Sequence, residues 1–282
     1  MKTYNDLINE YRGAFNDDVN TLRAFLFELC NEKNINLYME KDNEADKDIV
    51  DKFEKGVKRL LNDEPLNYVL GYSYFYGYKL KVGKDVLIPR FETEELVGKV
   101  LAYYDEYFPK QNVDVGDIGT GSGAIAIALK KEEPRMRVVA SDVSSDALKV
   151  AKENAKLNEA DIRFFEGSML EPIIQEGIKL DILVSNPPYI KQNELLENSV
   201  KDYEPHVALF GGEDGLKFYR MIFIDAHKVL KDKALMFFEI GYDQKENLMK
   251  LAKEYFKNAN IEVFKDINNK DRMLMIDLIS NH

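Results

Sequence analysis

Hydrophobic side chains recur at helical spacing along the first sixty residues. Two runs show the spacing most clearly: Leu22, Phe25, Leu26, Leu29, and then Phe53, Val57, Leu60, Leu61. Apolar residues three and four positions apart lie on one face of an α-helix, which can be buried against a neighbouring helix. Residues 1–65 are therefore predicted to form a small helical domain.

The pattern changes between Pro65 and Pro89, where aromatic and aliphatic residues alternate with small and polar ones. A period of two is typical of a strand with one buried face. Gly77 and Gly83 supply the turns. Residues 66–91 are predicted to form a β-hairpin that links two domains.

After Glu92 short apolar runs alternate with longer helical patterns. The predicted strands are Asp114–Ile118, Arg137–Ser141, Ile162–Glu166, Asp181–Val184, Ala234–Ile240, Ile261–Lys265 and Met273–Leu278. The predicted helices include Gly123–Lys131, Ser145–Leu157, Leu216–Val229 and Tyr242–Lys257. This alternation indicates an α/β domain over residues 92–282, with a mainly parallel sheet covered on both faces. The last strand pair is expected to add an antiparallel edge.

Composition and charge narrow the classes of function. The chain has 282 residues, 45% of them hydrophobic and 32% charged, which suits two unequal globular domains and gives no sign of disorder. The formal net charge is −11. Such a charge argues against a broad phosphate-neutralising surface, so stable nucleic-acid binding is not expected.

The sequence carries no signal for export, membrane insertion or metal binding. Its N-terminus lacks the basic and apolar blocks of a signal peptide, and no stretch approaches ~18 uncharged apolar residues. Cys30 lies in an apolar helical run and is predicted to be a buried, inert thiol. Three histidines and one cysteine do not supply a zinc ligand set. A cytoplasmic location, no membrane partner and no metal are expected.

A glycine-rich segment directly follows the first strand of the α/β region and opens a helix. It reads Asp117, Ile118, Gly119, Thr120, Gly121, Ser122, Gly123. Glycines let the chain turn tightly and let a ligand lie against the main chain. A dinucleotide is the runner-up ligand, but the spacing Gly-x-Gly-x-Gly departs from the dinucleotide fingerprint.

The next strand ends in a carboxylate, Asp142. From that position an acidic side chain can accept both hydroxyls of a ribose. Capping the following helix is the alternative role, for which Ser144 or Ser145 is better placed. The pattern therefore indicates a nucleoside ligand with free 2′ and 3′ hydroxyls.

The strand Asp181–Val184 leads into Ser185, Asn186, Pro187, Pro188 and Tyr189. Open α/β folds place their chemistry at this carboxyl end of the sheet. A planar NH2 group is a poor nucleophile because its lone pair is delocalised, so its two N–H bonds need acceptors as the nitrogen pyramidalises. The Asn186 Oδ1 and the Pro187 carbonyl can be these acceptors, and Tyr189 can stack on the planar group. A plain strand terminator would explain the prolines alone.

These motifs resemble those of the PrmC/HemK family, the protein-(glutamine-N5) methyltransferases of class-1 peptide-chain release factors. The resemblance covers nearly the whole chain. The glycine loop and the Asn186–Tyr189 segment are shared with other class I methyltransferases that act on nitrogen. Three further segments are more specific: Val86–Glu94, Tyr203–Leu216 and Lys265–Arg272.

The resemblance implies a seven-stranded class I methyltransferase domain that binds S-adenosyl-L-methionine and releases S-adenosyl-L-homocysteine. The implied cofactor residues are Asp117, Gly119, Thr120, Gly121, Ser122, Gly123, Asp142, Met169 and Asn186. The implied substrate residues are Asn186, Pro187, Pro188 and Tyr189, of which Asn186, Pro187 and Tyr189 are catalytic. The expected partner is a class-1 release factor, whose substrate glutamine lies in a Gly-Gly-Gln loop. The helical domain is expected to recognise it, because one amide offers too few contacts to select a protein.

Two alternatives stay open from the sequence. An adenine-N6 methyltransferase of DNA or RNA would use the same Asn-Pro-Pro-Tyr geometry, but it would have to flip out a base and neutralise phosphates. A non-catalytic binding module would keep the fold without the chemistry, and the intact motifs argue against it.

Three further segments have interpretations that do not involve the reaction itself. The carboxylates of Glu92–Glu95 complement a helix N-terminal dipole. The segment Gly211–Gly215 is expected to be a loop that shapes the substrate mouth. Arg272 is expected to pair with Asp266 or Asp271 and is assigned no catalytic part.

Overall fold

The structure is a computed structural model, and it describes residues 2–16, 19–195 and 198–279. The described residues divide into two compact units. The smaller unit holds those of residues 1–71 together with the short helix α10 (Asn198–Tyr203). The larger unit holds residues 72–195 and the chain from Glu204 onward. The sequence-based domain limits at 65/66 and 91/92 stay predictions.

The smaller unit is helical, as the spacing of its apolar residues predicts. Besides α10 its helices are α1 (Tyr4–Tyr11), α2 (Asn20–Glu32), α3 (Leu37–Glu40), α4 (Lys47–Leu60) and α5 (Leu66–Leu70). The apolar faces of α2 and α4 are buried, with the rings of Phe25 and Phe53 stacked 5.5 Å apart. Leu61, predicted on the same face, is instead exposed because α4 ends one residue before it. Burial raises the pKa of Cys30 to about 11.

Side-chain caps fix where two of these helices begin. The Thr3 hydroxyl accepts the Asp6 N–H at 3.1 Å, and the Asp6 carboxylate accepts the Thr3 N–H at 2.9 Å. Asp46 caps α4 by accepting the N–H groups of Asp48 and Ile49. Each cap satisfies backbone donors that the first helical turn leaves without a partner.

The larger unit opens with the hairpin of β1 (Tyr72–Phe75) and β2 (Tyr78–Lys81), which pair antiparallel. Tyr76 and Gly77 connect the strands with φ angles of 52° and 82°. Two positive φ values in succession give the turn that matches the twist of a hairpin. The hairpin therefore lies within the predicted segment, whose first residues, Leu66–Leu70, form α5 instead.

Seven strands form the central sheet, in the order β5-β4-β3-β6-β7-β9-β8. They are β3 (Val113–Ile118), β4 (Met136–Asp142), β5 (Ile162–Glu166), β6 (Leu180–Ser185), β7 (Leu230–Glu239), β8 (Asn260–Lys265) and β9 (Asp271–Asp277). The strands from β5 to β7 are parallel, whereas β9 runs antiparallel to both β7 and β8. The predicted parallel sheet with an antiparallel edge is confirmed.

Helices cover both faces of this sheet. They are α6 (Phe91–Tyr107), α7 (Ala124–Glu132), α8 (Ser145–Leu157), α9 (Glu171–Gln175), α11 (Lys217–Val229) and α12 (Lys245–Tyr255). Successive residues of a strand point to opposite faces, so Ile182 and Val184 join one apolar core and Leu183 the other. Strand order reverses at β3, which lies between β4 and β6. Doubly wound sheets bind ligands at the carboxyl ends of the strands at such a reversal.

Membrane-spanning helices and metal-ligand clusters are both absent from residues 2–16, 19–195 and 198–279. Within them no helix combines the length and hydrophobicity needed to cross a bilayer. No group of three or more His, Cys, Asp or Glu side chains in the described part of the chain could hold a metal ion.

Candidate active site

A cavity of about 340 Å³ lies at the carboxyl ends of β3, β4 and β6. Its wall includes the loop Gly119–Ser122, Asp142 after β4, and Asn186 and Pro188 after β6. The segment before α6 contributes as well, through Leu87 and neighbouring residues. A mostly apolar recess of this size with a few polar groups is typical of a small-molecule site.

The three glycines of the loop after β3 do not serve the same purpose. All three have positive φ, of 76° at Gly119, 55° at Gly121 and 84° at Gly123, which side chains disfavour. A Cβ added at Gly119 or Gly121 would meet no heavy atom within 4 Å, whereas one at Gly123 would lie 3.3 Å from Ala151 Cβ. The first two glycines therefore leave open space beside the cavity, and the third allows close packing of helices α7 and α8.

Asp117 lies behind the glycine loop and is fully buried. Its Oδ2 accepts the Thr120 hydroxyl at 2.5 Å and the Ala126 N–H at 3.2 Å, which ties the loop to the start of α7. Burial raises the pKa of Asp117 to about 7. Asp117 and Gly123 are not among the described residues that line the cavity, while Gly119, Thr120, Gly121 and Ser122 are. Asp117 thus fixes the conformation of the loop by hydrogen bonds from the buried side, without lining the cavity.

Asp142 reaches the cavity from the end of β4. Its Oδ2 accepts the Gly121 N–H at 2.8 Å, and its Oδ1 accepts the Ser144 N–H at 2.9 Å. Ser144 caps α8, as the sequence predicts, by accepting the Ala147 N–H. A carboxylate offers about four acceptor positions, so Asp142 keeps acceptor capacity for a ligand beyond the backbone N–H groups of Gly121, Val143 and Ser144. Burial raises the pKa of Asp142.

Met169 closes another part of the cavity wall. Its φ of 46° is unusual for a residue with a side chain. The Ser141 hydroxyl donates a hydrogen bond to the Met169 carbonyl oxygen at 3.0 Å. The side chain is nearly buried and packs in the core of one sheet face. Met169 therefore gives that side of the cavity an apolar, non-aromatic surface.

The amide of Asn186 has a defined hydrogen-bonding direction. Its Nδ2 donates to the Thr93 Oγ1 at 3.2 Å, and the Thr93 hydroxyl donates to Glu239 Oε2 at 2.6 Å. Because Nδ2 is engaged, Oδ1 is the end of the amide left to accept a hydrogen bond from a ligand. Asn186 lines the cavity, and the role of its Oδ1 as an acceptor for the substrate stays a prediction.

The three residues that follow Asn186 differ in whether they line the cavity. Pro188 lines it, whereas Pro187 and Tyr189 are not among the described lining residues. The Tyr189 hydroxyl donates to Glu239 Oε1 at 3.3 Å. Burial raises the pKa of Tyr189, and it also raises the pKa of Glu239. The Tyr189 ring is thus anchored at its hydroxyl end to the carboxylate that also holds Thr93.

A second glycine-rich loop supports the Asn-Pro-Pro-Tyr segment from behind. The Gly211 N–H donates to the Ile190 carbonyl at 2.8 Å. A Cβ on Gly211 would lie 2.5 Å from the Pro188 carbonyl oxygen, and one on Gly215 would lie 2.5 Å from Gln244 Nε2. Neither position can hold a side chain without moving the segment. The loop Gly211–Gly215 was expected to shape the entrance for the substrate. It packs directly on the backbone of Asn186–Tyr189, here called the reacting segment.

Gln244 joins three parts of this region. Its Nε2 donates to the carbonyls of Tyr189 and Gly215, each at 3.2 Å, and its Oε1 accepts the Gly241 N–H at 2.9 Å. The side chain is almost completely buried. It therefore fixes the spacing between the ends of β6 and β7 and the glycine loop.

Sequence reasoning missed Thr93, Glu239 and Gln244 as parts of the site. Thr93 lies inside Val86–Glu94, a segment that resembles the PrmC/HemK family, but this resemblance assigns no role to Thr93 itself. Glu239 is the last residue of β7 and ends a run of buried residues, a position that the rule on strand ends could have singled out. Gln244 carries no comparable signal.

Arg272 and the carboxylates at the start of α6 also have defined partners. Arg272 Nε pairs with Asp266 Oδ2 at 3.2 Å, one of the two predicted partners. The carboxylates at the start of α6 do more than complement its dipole, because Glu94 accepts the Tyr76 N–H at 2.8 Å and Glu95 accepts the Ile267 N–H at 3.1 Å.

Known proteins share both the sheet and the sequence. Residues 99–203 match the family described as "Methyltransferase small domain". A methyltransferase from Pyrococcus furiosus has the same fold, with a TM-score of 0.51 and 16% identity over 80% of this chain and 99% of that chain. The molecule is a class I S-adenosylmethionine-dependent methyltransferase, which confirms the predicted fold class and cofactor.

Curated relatives narrow the class. The release factor glutamine methyltransferase of Bacillus cereus is 41% identical over 255 residues, which are 89% of this chain and 90% of the relative. That of Thermodesulfovibrio yellowstonii is 36% identical over 274 residues, 96% of both chains. This chain belongs to the release factor glutamine methyltransferase family.

Proposed function

We propose that this protein transfers a methyl group from S-adenosylmethionine to the side-chain amide nitrogen, N5, of the glutamine in the Gly-Gly-Gln loop of class-1 peptide-chain release factors. The observation that carries the proposal is the orientation of Asn186. Its Nδ2 is held by Thr93, so Oδ1 is left as an acceptor at the cavity. An acceptor is what a planar NH2 nucleophile requires. Family membership supports the identity of the substrate.

The residues around the cavity fit the cofactor. Gly119 and Gly121 present main chain without side chains, and the Asp142 carboxylate keeps acceptor capacity for a ribose hydroxyl. Met169 offers an apolar surface to a flat base. When bound, S-adenosylmethionine supplies a methyl group on a positively charged sulfur, which a nucleophile attacks in line.

The chain's own residues then have to orient and polarise the substrate amide. Asn186 Oδ1 and the Pro187 carbonyl accept its two N–H bonds, which favours the pyramidal nitrogen of the transition state. Tyr189, whose hydroxyl is anchored on Glu239, is assigned to the planar face of the amide. The catalysis comes from positioning and from dipoles that are already oriented. No strong base is required before transfer, because the nitrogen loses its proton during or after it.

Parallel methylation assays test the substrate class. Labelled S-adenosylmethionine is offered with purified release factor, a Gly-Gly-Gln peptide, DNA and RNA, and mass spectrometry locates the methyl group. We expect label on the glutamine of the release factor. A higher kcat/KM on adenine in DNA or RNA would replace this proposal with the adenine-N6 alternative.

The role of Asn186 gives a second test. Asn186→Ala should lower kcat by about 10²–10³, the cost of removing one oriented polar group aimed at developing charge. Affinity for the release factor and thermal stability should change little, because the side chain contributes mainly in the transition state. Turnover near the wild-type rate would show that the assigned role is wrong.

We also propose that the smaller unit recognises the release factor. Its exposed residues carry both signs of charge, which suits a protein surface better than a phosphate backbone. Deleting residues 1–65, with folding of the remainder verified, should raise KM for the folded release factor far more than for a short Gly-Gly-Gln peptide. An equal loss on both substrates would exclude a recognition role.

A further inference from the structure

A chain of three side chains leads from the cavity wall into the core. Asn186 Nδ2 donates to Thr93 Oγ1 at 3.2 Å, and Thr93 Oγ1 donates to Glu239 Oε2 at 2.6 Å. Thr93 is 5% exposed and Glu239 is 2% exposed. The three residues come from the end of β6, the first turn of α6 and the end of β7. Nothing in the sequence spacing links them.

The direction of each hydrogen bond in this chain follows from chemistry. An ionised carboxylate accepts hydrogen bonds and cannot donate one. The Thr93 hydroxyl proton must therefore point to Glu239, which leaves the Thr93 oxygen to accept from Asn186. An asparagine amide turned by 180° has almost the same shape but exchanges its acceptor for a donor. Glu239 thus decides which end of the Asn186 amide faces a ligand.

We propose that Glu239 and Thr93 are positioning residues, which act through Asn186 by holding its Oδ1 toward the substrate amide. The proposal rests on the proposed function for the nature of that substrate. Glu239 also accepts the Tyr189 hydroxyl at 3.3 Å, so one buried carboxylate orients two residues of the reacting segment.

Opposing influences act on the ionisation of Glu239, and burial, the largest of them, raises its pKa. Arg272 on β9 favours the charged form, and the hydroxyls of Thr93 and Tyr189 favour it as well. Burial and the charge of Glu92 oppose it. Arg272 is itself held by Asp266 and by the Ile240 carbonyl, next to Glu239 in the chain. The segment Lys265–Arg272 thereby gains a role that its sequence alone did not show.

The test is the variant Glu239→Gln, which keeps the shape of the side chain but adds a donor. A glutamine NH2 can donate to Thr93, which can then donate to Asn186 and favour the turned amide. We expect kcat to fall about 100-fold, the size of effect that misplacement of a reacting group produces, with KM for the release factor nearly unchanged. Thr93→Val should show a similar loss, and Thr93→Ser should restore most of it.

A double variant separates positioning from a general structural effect. Once Asn186→Ala has removed the amide, Glu239→Gln should lower kcat much less than it does in the wild type, because only its contact with Tyr189 is then lost. Losses that multiply would overturn the proposal. Asp181→Asn is the matched control, since Asp181 lies at the start of β6, at the far end from Asn186, and pairs with Lys231 on β7 at 2.6 Å. It should lower thermal stability and leave kcat unchanged.

A second measurement does not depend on activity. In the ligand-free protein the side-chain NH2 signals of Asn186 should exchange slowly with solvent, and Glu239→Gln should shift them and speed their exchange. Unchanged signals would overturn the proposal. If the wild type methylates another substrate but no release factor, the proposed function fails while these tests still apply to that substrate. If the wild type methylates release factor and Glu239→Gln retains full kcat, the positioning role alone fails.

Discussion

The larger unit has two glycine-rich loops, the first at Gly119–Gly123 and the second at Gly211–Gly215, and their glycines serve opposite purposes. A Cβ added at Gly119 or Gly121 would meet nothing within 4 Å, whereas one added at Gly211 or Gly215 would collide with the reacting segment or with Gln244. The first loop omits side chains so that a ligand can approach the main chain. The second omits them so that one piece of backbone can support another. A glycine motif therefore identifies a close approach, and only the structure shows what approaches.

The largest effect is expected where a side chain would press on the reacting segment. Gly215→Ala adds a Cβ that lies 2.5 Å from Gln244 Nε2 and close to the Tyr189 carbonyl, at a φ of 75°. Overpacking and the left-handed backbone together should lower the free energy of unfolding by about 3–4 kcal/mol. Urea denaturation measures the loss. In the fraction that stays folded, kcat should fall while cofactor affinity is largely kept.

Gly212 provides the control for this variant. It also has a positive φ, of 89°, but a Cβ there would meet only the Lys217 side chain at 3.3 Å. Gly212→Ala should therefore cost about 1–2 kcal/mol, from the backbone conformation alone. Equal losses from Gly212→Ala and Gly215→Ala would contradict the supporting role assigned to the second loop.

The same experiment in the first loop should affect binding more than folding. Gly121→Val places a branched side chain in the open space beside the cavity. It should weaken S-adenosylmethionine binding by roughly a hundredfold, about 2.7 kcal/mol, measured by calorimetric titration. The φ of 55° at Gly121 also strains a β-branched residue, so the variant should lose some stability and is titrated under conditions where it is shown to be folded. Near wild-type affinity would then show that this loop does not face the cofactor.

Features that depend on residues close together in the sequence were predicted better than features that join distant parts of the chain. The strands of the sheet are short apolar runs, so each of the seven was predicted within a few residues of its observed limits. Ser144 caps the helix that follows it directly, and this role was predicted from the sequence. The position of Asp142 at the end of a strand also predicted that it faces a ligand site, and it lines the cavity. The prediction for Leu61 was wrong because a periodic pattern does not show where a helix ends.

Features that join distant parts of the chain could not be predicted. Thr93 and Glu239 are 146 positions apart and meet only because α6 begins beside the end of β7. Gly215 contacts Tyr189 across a folded loop. Asp117 was grouped with the cofactor residues on its position in the motif, and its burial behind the loop depends on packing that the motif does not contain.

That burial predicts a pH dependence for the first loop. Burial raises the folded-state pKa of Asp117 to about 7 from its ordinary value of 3.8. Between these values the folded state binds a proton that the unfolded state has lost, so stability falls as pH rises through this window. Asp117→Asn should remove a decrease on the order of 2 kcal/mol between pH 5 and pH 8. Parallel stability profiles for the wild type and the variant, measured in urea, would contradict this.

The smallest effect is expected at Gly119, and it tests the comparison most strictly. Gly119→Ala adds one methyl group that meets no protein atom within 4 Å, so the only cost to folding is the φ of 76°, about 1–2 kcal/mol at most. Since Gly119 lines the cavity, the methyl group should reduce S-adenosylmethionine affinity by only a few fold, far less than the valine at Gly121. Urea unfolding and calorimetry on the same preparation give both numbers. A loss of stability as large as that of Gly215→Ala would mean that the first loop is packed like the second, and the contrast between them would fail.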